Sequence, residues 1–176
     1  MRQSAHAPGS LASQPAWHRP WMRITLWTVV TVSLIAMVVA AMHMQTRVAD
    51  IVVYKSPTCG CCTKWIEHLR RAGFAVDAVD TGDLEQIKRS LGVPMDLASC
   101  HTAVVGEYLV EGHVPADLVR RLQQERPRVR GLAVPSMPPG SPGMEHPNPV
   151  RYDVLAFGTD GKISVYATRQ GGDQLR

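Results

Sequence analysis

The sequence predicts an α/β domain preceded by one helix long enough to cross a membrane, and three observations predict it. Residues 24–42 (ITLWTVVTVSLIAMVVAAM) carry no charge. Beyond residue 50, runs of β-branched residues alternate with stretches of helical spacing, and Gly and Pro stand at the joints between them. The hydrophobic fraction of 45% can fill one modest core, and nothing in the composition suggests a disordered or collagen-like chain.

Charge limits the partners. Lys and Arg number 19 against 15 Asp and Glu, a formal net of +4 with a pI near 9.1. The excess sits at the front, where Arg2, Arg19, Arg23 and Arg47 face Asp50 alone, so the rest is nearly neutral. With aromatics at 6% there is no stacking surface interleaved with basic residues, and nucleic acid is not an expected partner.

The elements follow in order. Residues 1–23, rich in Pro, Ser, Ala and His without periodicity, read as a cytoplasmic tail. The 24–42 run rises about 28 Å at roughly 1.5 Å per residue, close to a hydrocarbon core of about 30 Å, and reads as a transmembrane anchor. Arg19 and Arg23 before it, with Trp17, Trp21 and Trp27 at the interface, put the remainder outside the bilayer. The competing reading is a cleaved secretory signal with Val39-Ala40-Ala41 at the cleavage site. Residues 43–50 are a linker, and 51–176 form the exported domain.

Within that domain, 51–54 (IVVY) predicts a strand, Ser56 to Gly60 a turn, and 61–72 a helix with Trp65, Ile66 and Leu69 on one face. Gly73 ends the helix; 74–79 alternates as a strand and 84–91 spaces Leu84, Ile87 and Leu91 as a second helix. After Gly92-Val93-Pro94, residues 102–105 and 108–110 form a hairpin and 115–124 a third helix opened by Pro115. The order β-α-β-α-β-β-α is that of a thioredoxin-like fold. Residues 131–149 read as one long Pro-Gly loop, and 152–157 with 162–166 as a closing hairpin on a sheet edge.

The chemistry gathers on cysteine. Cys59-Gly60-Cys61-Cys62 lies where a strand meets a helix, and the free N–H groups and dipole of a helix start favour thiolate. Cys59 and Cys62 have the spacing of a redox dithiol. Cys61 breaks that simple version, because a third adjacent thiol allows mixed pairings, whereas clustered soft sulfurs suit a thiophilic ion such as Cu(I). Cys100 precedes the third strand, at a loop that faces the CxxC in a thioredoxin-like fold, so all four sulfurs can converge. Structural disulfides and a structural zinc site remain as alternatives.

Other candidates are plainer. His113 stands near the start of the third helix, as a ligand or as a satisfied surface histidine. Met137 and Met144 sit in Pro-Gly sequence, where a thioether ligand or an apolar lid is expected. Met95 reads as core and His68 as helix surface. Met42-His43-Met44 is a chance-prone triplet, and Arg120, Arg121, Arg126, Arg128 and Arg130 read as a solvated basic face.

Three segments together carry a resemblance: 54–62 (YKSPTCGCC), 102–115 (TAVVGEYLVEGHVP) and 135–145 (PSMPPGSPGME). They resemble the thioredoxin-like metal-binding family found with bacterial copper-resistance genes, often called CopG-like. The resemblance implies a periplasmic protein that binds copper and can cycle its redox state. It implies Cys59, Cys61, Cys62 and Cys100 as sulfur ligands, with His113 and Met137 or Met144 as weaker transfers. Ser136 stands where the family pattern has Gly, and the anchor departs from a simply secreted relative. Against ordinary thioredoxins, the CxxC lacks Pro, and His101 stands where a cis-Pro would precede the third strand.

The resulting expectation is a thioredoxin-like domain with an added C-terminal hairpin, tethered to the bacterial inner membrane. It would bind Cu(I) through its cysteine cluster in the periplasm, with copper ions and periplasmic copper-handling proteins as partners. The alternative is a thiol-disulfide oxidoreductase with Cys59 as nucleophile and Cys62 as resolving thiol.

Overall fold

The computed structural model of the chain describes residues 20–43 and 50–172, with side chains in the first segment for 24, 25 and 27–37. Two compact units are present, Met1–Thr46 and Arg47–Arg176. Most of the expected tail, most of the linker and Met44 lie outside the described residues.

The first unit holds helix α1 (Pro20–His43). Thr28 and Thr31 turn their hydroxyls back onto the carbonyls of Thr25 and Trp27, as hydroxyl side chains do where no other acceptor is near. Among the described residues, no helix is long and apolar enough to cross a membrane. The expected transmembrane anchor at 24–42, and the inner-membrane tether drawn from it, are therefore corrected.

The second unit runs β1 (Ile51–Lys55), α2 (Gly60–Arg71), β2 (Val76–Asp80) and α3 (Leu84–Leu91), then a 3-10 turn at Met95–Leu97. It continues with β3 (His101–Val105), β4 (Tyr108–Gly112), α4 (Ala116–Glu125), β5 (Gly131–Val134), β6 (Arg151–Phe157) and β7 (Ile163–Gln170). The helix ends have local causes. Asp83 caps α3 by accepting the Gln86 N–H at 3.1 Å, and Gly92 closes it at φ 77°, a left-handed conformation open to glycine.

All strands join one seven-stranded sheet in the order β2-β1-β3-β4-β5-β6-β7. β1 with β2 and β4 with β5 are parallel, and the other neighbours are antiparallel. This corrects the expected fold of a thioredoxin-like domain with an appended hairpin. The hairpin β6–β7 is continuous with the sheet through β5, a strand inside what the sequence predicted as loop 131–149. Its four residues, GLAV, are all buried. A strand covered on both faces shows no alternation, and here Gly and Pro flank it, so it has no period-2 signature. Gly131 is required there, because a Cβ would lie 2.2 Å from the Leu109 carbonyl and 2.8 Å from the Phe157 ring.

The sheet is covered on both faces. One cluster packs Trp65, Ile66 and Leu69 of α2 and Leu118, Val119 and Leu122 of α4 against Ile51, Val53, Ala103, Val105, Val110, Leu132 and Val154. A smaller cluster on the alternate residues joins Val93 and Leu97 to Leu109, Ala133 and Phe157, with Leu91 of α3 against it. The interleaving of Leu109 with Val110, and of Leu132 with Ala133, is the strand period turned into two cores. Met95 is 47% exposed and belongs to neither core, contrary to expectation.

Candidate metal centre

The β1–α2 turn builds one wall of the site. Cys59 is the N-cap of α2 at φ −76°, ψ 92°, and its sulfur accepts the Cys62 N–H at 3.3 Å. A sulfur at this position satisfies a helix N–H that the ladder leaves unpaired and takes the positive end of the helix dipole. Cys59 and Cys62 are joined as a disulfide with Cα atoms 5.4 Å apart. Cys62 is fully buried, whereas Cys59 is partly exposed. The intervening Cys61 is a free thiol, with its Sγ 3.5 Å from that of Cys59.

The second wall comes from the segment entering β3. The sulfur of Cys100 lies 4.0 Å from that of Cys61 across 39 residues of chain. The four cysteine sulfurs all fall within 4.8 Å of one another. A second group, Cys100, His101 and His113, meets the same limit and shares Cys100 with the first.

The histidines give the sulfurs a nitrogen side. His113 Nδ1 donates to the Pro142 carbonyl at 2.7 Å, which leaves Nε2 as a lone pair, 3.0 Å from Cys100 Sγ. His101 Nδ1 is 3.3 Å from the same sulfur, and its Nε2 is buried with no hydrogen-bond partner. In this arrangement the Cys100 thiol donates to His113 Nε2, and His101 stands at the same sulfur through Nδ1. The His101 ring lies 4.3 Å from that of Trp65 and edge-on to His113 at 5.1 Å between centroids.

Electrostatics keep this cluster neutral. Burial, and then the neighbouring Cys61, push the Cys100 thiol up to about 12. Burial pulls His101 well below 6.5, with His113 and Lys88 adding to the effect. Burial also lowers His113, against the upward pull of the Pro142 carbonyl. At neutral pH Cys100 therefore holds its proton and both imidazoles lack theirs. A soft cation must displace the Cys100 proton, but meets neutral imidazole nitrogens that need lose none.

The third wall is the loop after β5. Gly143, at φ 83°, lies so close that a Cβ would be 2.8 Å from the Cys61 carbonyl, 2.9 Å from the Trp65 nitrogen and 3.3 Å from His113 Nδ1. Met144 follows directly, its backbone N–H bonded to the Ser141 carbonyl at 2.8 Å and its carbonyl to the Gly140 N–H at 2.7 Å. Ser136 and Met137 both have left-handed backbones, at φ 65° and 45°. Ser136, which stands where the family pattern has Gly, thus takes a conformation that glycine adopts freely.

The sequence-predicted residues Cys59, Cys61, Cys62, Cys100 and His113 come together, and the loop of Met144 reaches the site through Gly143. His101 is the residue that sequence reasoning passed over as a ligand. Its signal was adjacency to Cys100, but only the fold shows it turned inward and fully buried. His68 is not a simple surface residue, since its Nε2 accepts the Ala116 N–H at 3.0 Å and ties α2 to the start of α4. Of the arginine run, Arg121 pairs with Glu125 at 2.9 Å, and Arg130 donates to the carbonyls of Glu107 and Leu91.

Two solved structures of a copper resistance protein, CopG, in Form 1 and Form 2, are similar to this chain. Each is 43% identical, with a TM-score of 0.65. Form 2 aligns over 68% of this chain and 96% of its own, and Form 1 over 69% and 97%. The chain belongs to the CopG copper-resistance family. Residues 97–144, which span Cys100, His101, His113 and the Gly143 loop, match the family described as a protein of unknown function, DUF411. No curated protein matches the chain. Membership of the CopG family together with the cysteine cluster supports copper handling.

Proposed function

We propose that this CopG-family chain binds Cu(I) in an exported, periplasmic setting, through the thiolates of Cys59, Cys61, Cys62 and Cys100 with His113 beside them. The observation that carries the reading is the convergence of four sulfurs within 4.8 Å, with Cys100 shared by a histidine pair. The donor set fits the ion, since thiolate sulfur and imidazole select a soft cation over the harder divalent ions. His101 fits as well, because its buried ring stands 3.3 Å from Cys100 Sγ through Nδ1 and adds a nitrogen to the donor set. The protein's own part is to hold these donors in a site closed by the Gly143 loop and to release the Cys100 proton as the ion enters. Met137 and Met144 would add thioether donors, which carry no proton at any relevant pH.

The Cys59–Cys62 disulfide favours redox cycling as part of the same reading. Two of the four sulfurs are unavailable while it is closed, and two electrons with two protons from an external dithiol reductant, itself oxidised to a disulfide, open it to two thiols. It also supports the second reading, a thiol-disulfide oxidoreductase with partly exposed Cys59 attacked first. One experiment separates them: anaerobic Cu(I) titration against a chelator, alongside insulin reduction, for the reduced parent and the four single Cys→Ser variants. Copper binding requires tight binding in the parent and loss of affinity or stoichiometry in Cys61→Ser and Cys100→Ser. Turnover that ignores Cys61 and Cys100, in a parent without tight copper binding, overturns it.

A further inference from the structure

On the opposite face of the sheet from Trp65 and His101 lies a fully buried carboxylate. Glu111 on β4 faces its cross-strand partner Thr102 on β3. Its Oε2 accepts the Thr102 hydroxyl at 2.6 Å, and Oε1 pairs with the equally buried Lys88 of α3. Lys88 also donates to Thr102 Oγ1 at 2.8 Å. These bonds close a small charged network under α3. They leave one contact unaccounted for: Oε1 also accepts the backbone N–H of Ser99 at 2.5 Å.

Ser99 immediately precedes Cys100, and it is held from two sides. Besides the Glu111 bond, it packs on Gly112 so closely that a Cβ there would meet Ser99 Oγ at 2.7 Å and Ser99 Cβ at 2.9 Å. Burying an ion pair is a poor way to gain stability, because desolvation consumes most of the attraction and an apolar pair of the same size serves as well. What an apolar pair cannot do is accept the Ser99 N–H. A neutral acceptor could do so, but Lys88 and the Thr102 hydroxyl fix the carboxylate in one orientation.

We infer that Glu111, oriented by Lys88 and Thr102, is a positioning residue for Cys100: from the α3 face of the sheet it holds the Ser99 N–H and fixes the Ser99–Cys100 segment where the sulfur meets Cys61 and His113. The value of this position to metal binding rests on the copper reading above, but the positioning itself is a property of the metal-free protein. Outer partners that orient ligands without touching the ion cost roughly 10- to 100-fold in affinity when removed. This link differs from most in acting through the backbone of the residue before the ligand.

The test compares two double variants of the full chain with the parent. Lys88→Met with Glu111→Leu keeps volume and removes the acceptor. Lys88→Met with Glu111→Gln keeps a neutral acceptor for Ser99. In the reduced, metal-free protein the leucine pair is expected to alkylate several-fold faster at Cys100, read by peptide mass, with an unchanged melting temperature. Cu(I) affinity should fall by roughly 10- to 100-fold. The glutamine pair should restore both toward the parent, which a merely structural role would not do. Hydrogen exchange at the Ser99 amide gives a second measurement that needs no variant: the parent should protect it. Parental alkylation and affinity in a folded leucine pair, or a parent Ser99 amide that exchanges like an exposed loop, overturns the inference. A parent that binds no Cu(I) yet shows the alkylation and exchange pattern refutes the copper reading and leaves the positioning role supported.

Discussion

Cys100 Sγ lies 3.0 Å from His113 Nε2, although 13 positions separate the two residues along the chain. The contact exists because β3 and β4 form a tight antiparallel pair that brings the start of one strand beside the end of the other. It is also directional. The Pro142 carbonyl takes the proton on Nδ1, so the lone pair of His113 can only face the sulfur.

His113→Gln should therefore keep a polar group at the Pro142 carbonyl and lose the oriented imidazole lone pair. Cu(I) affinity, measured against a chelator under anaerobic conditions, is expected to fall at least tenfold, roughly the size of an outer-partner loss or larger. Unchanged affinity would make His113 a packing residue.

The buried histidines set a pH dependence for the metal-free protein. His101 and His113 are held below their ordinary value of 6.5, chiefly by burial. The unfolded chain therefore binds more protons than the folded one as pH falls below 6.5, and the stability present above that value is lost on acidification. Urea midpoints should drop from pH 7.5 to pH 5.5, and His101→Gln should flatten part of that slope. A midpoint that rises on acidification contradicts the burial of neutral imidazoles.

Cys100 contributes at the other end. Its thiol is raised from 9.0 to about 12, so its contribution is complete below pH 9 and declines as pH rises toward 12. Copper loading must displace this proton, so apparent Cu(I) affinity should rise with pH between 6 and 8, with proton release seen in a weakly buffered titration. Cys100→Ser should remove part of that release. A binding curve independent of pH would mean that Cys100 is not a ligand.

Gly143→Ala is expected to be disruptive beyond its size. The new methyl meets the Cys61 carbonyl and the Trp65 nitrogen inside 3.0 Å, at φ 83° where L residues are strained. A loss of about 1–3 kcal/mol in urea unfolding should accompany weaker copper binding, because the loop must leave both Cys61 and His113. Gly60→Ala, with nothing within 4 Å, serves as the control.

The thioethers should matter less than the thiols. Replacing Met137 and Met144 together with Leu keeps volume and apolarity, and is expected to lower Cu(I) affinity modestly, by less than roughly tenfold. If affinity and solvent access of the reduced thiols stay unchanged, the loop closes the site by packing alone.

The sequence by itself determined the local pieces: the helix that starts at the cysteine run, the strands whose apolar residues alternate or cluster, and the turns where Gly and Pro stand. It also determined the chemistry of the site, because thiols clustered at a helix start favour soft metals whatever the fold around them. Four elements were beyond it, for one physical reason: each depends on atoms far away in the chain. β5 is a strand only because β4 and β6 cover its edges, and its Gly131 is required by the Leu109 carbonyl. His101 becomes a candidate ligand only when β3 turns its ring inward beside Trp65 and sets Nδ1 3.3 Å from Cys100 Sγ. Met95, apolar by type, finds no core to enter. Glu111, which in sequence is an ordinary acidic residue in a strand, becomes the anchor of Ser99 only once α3 brings Lys88 beneath the sheet.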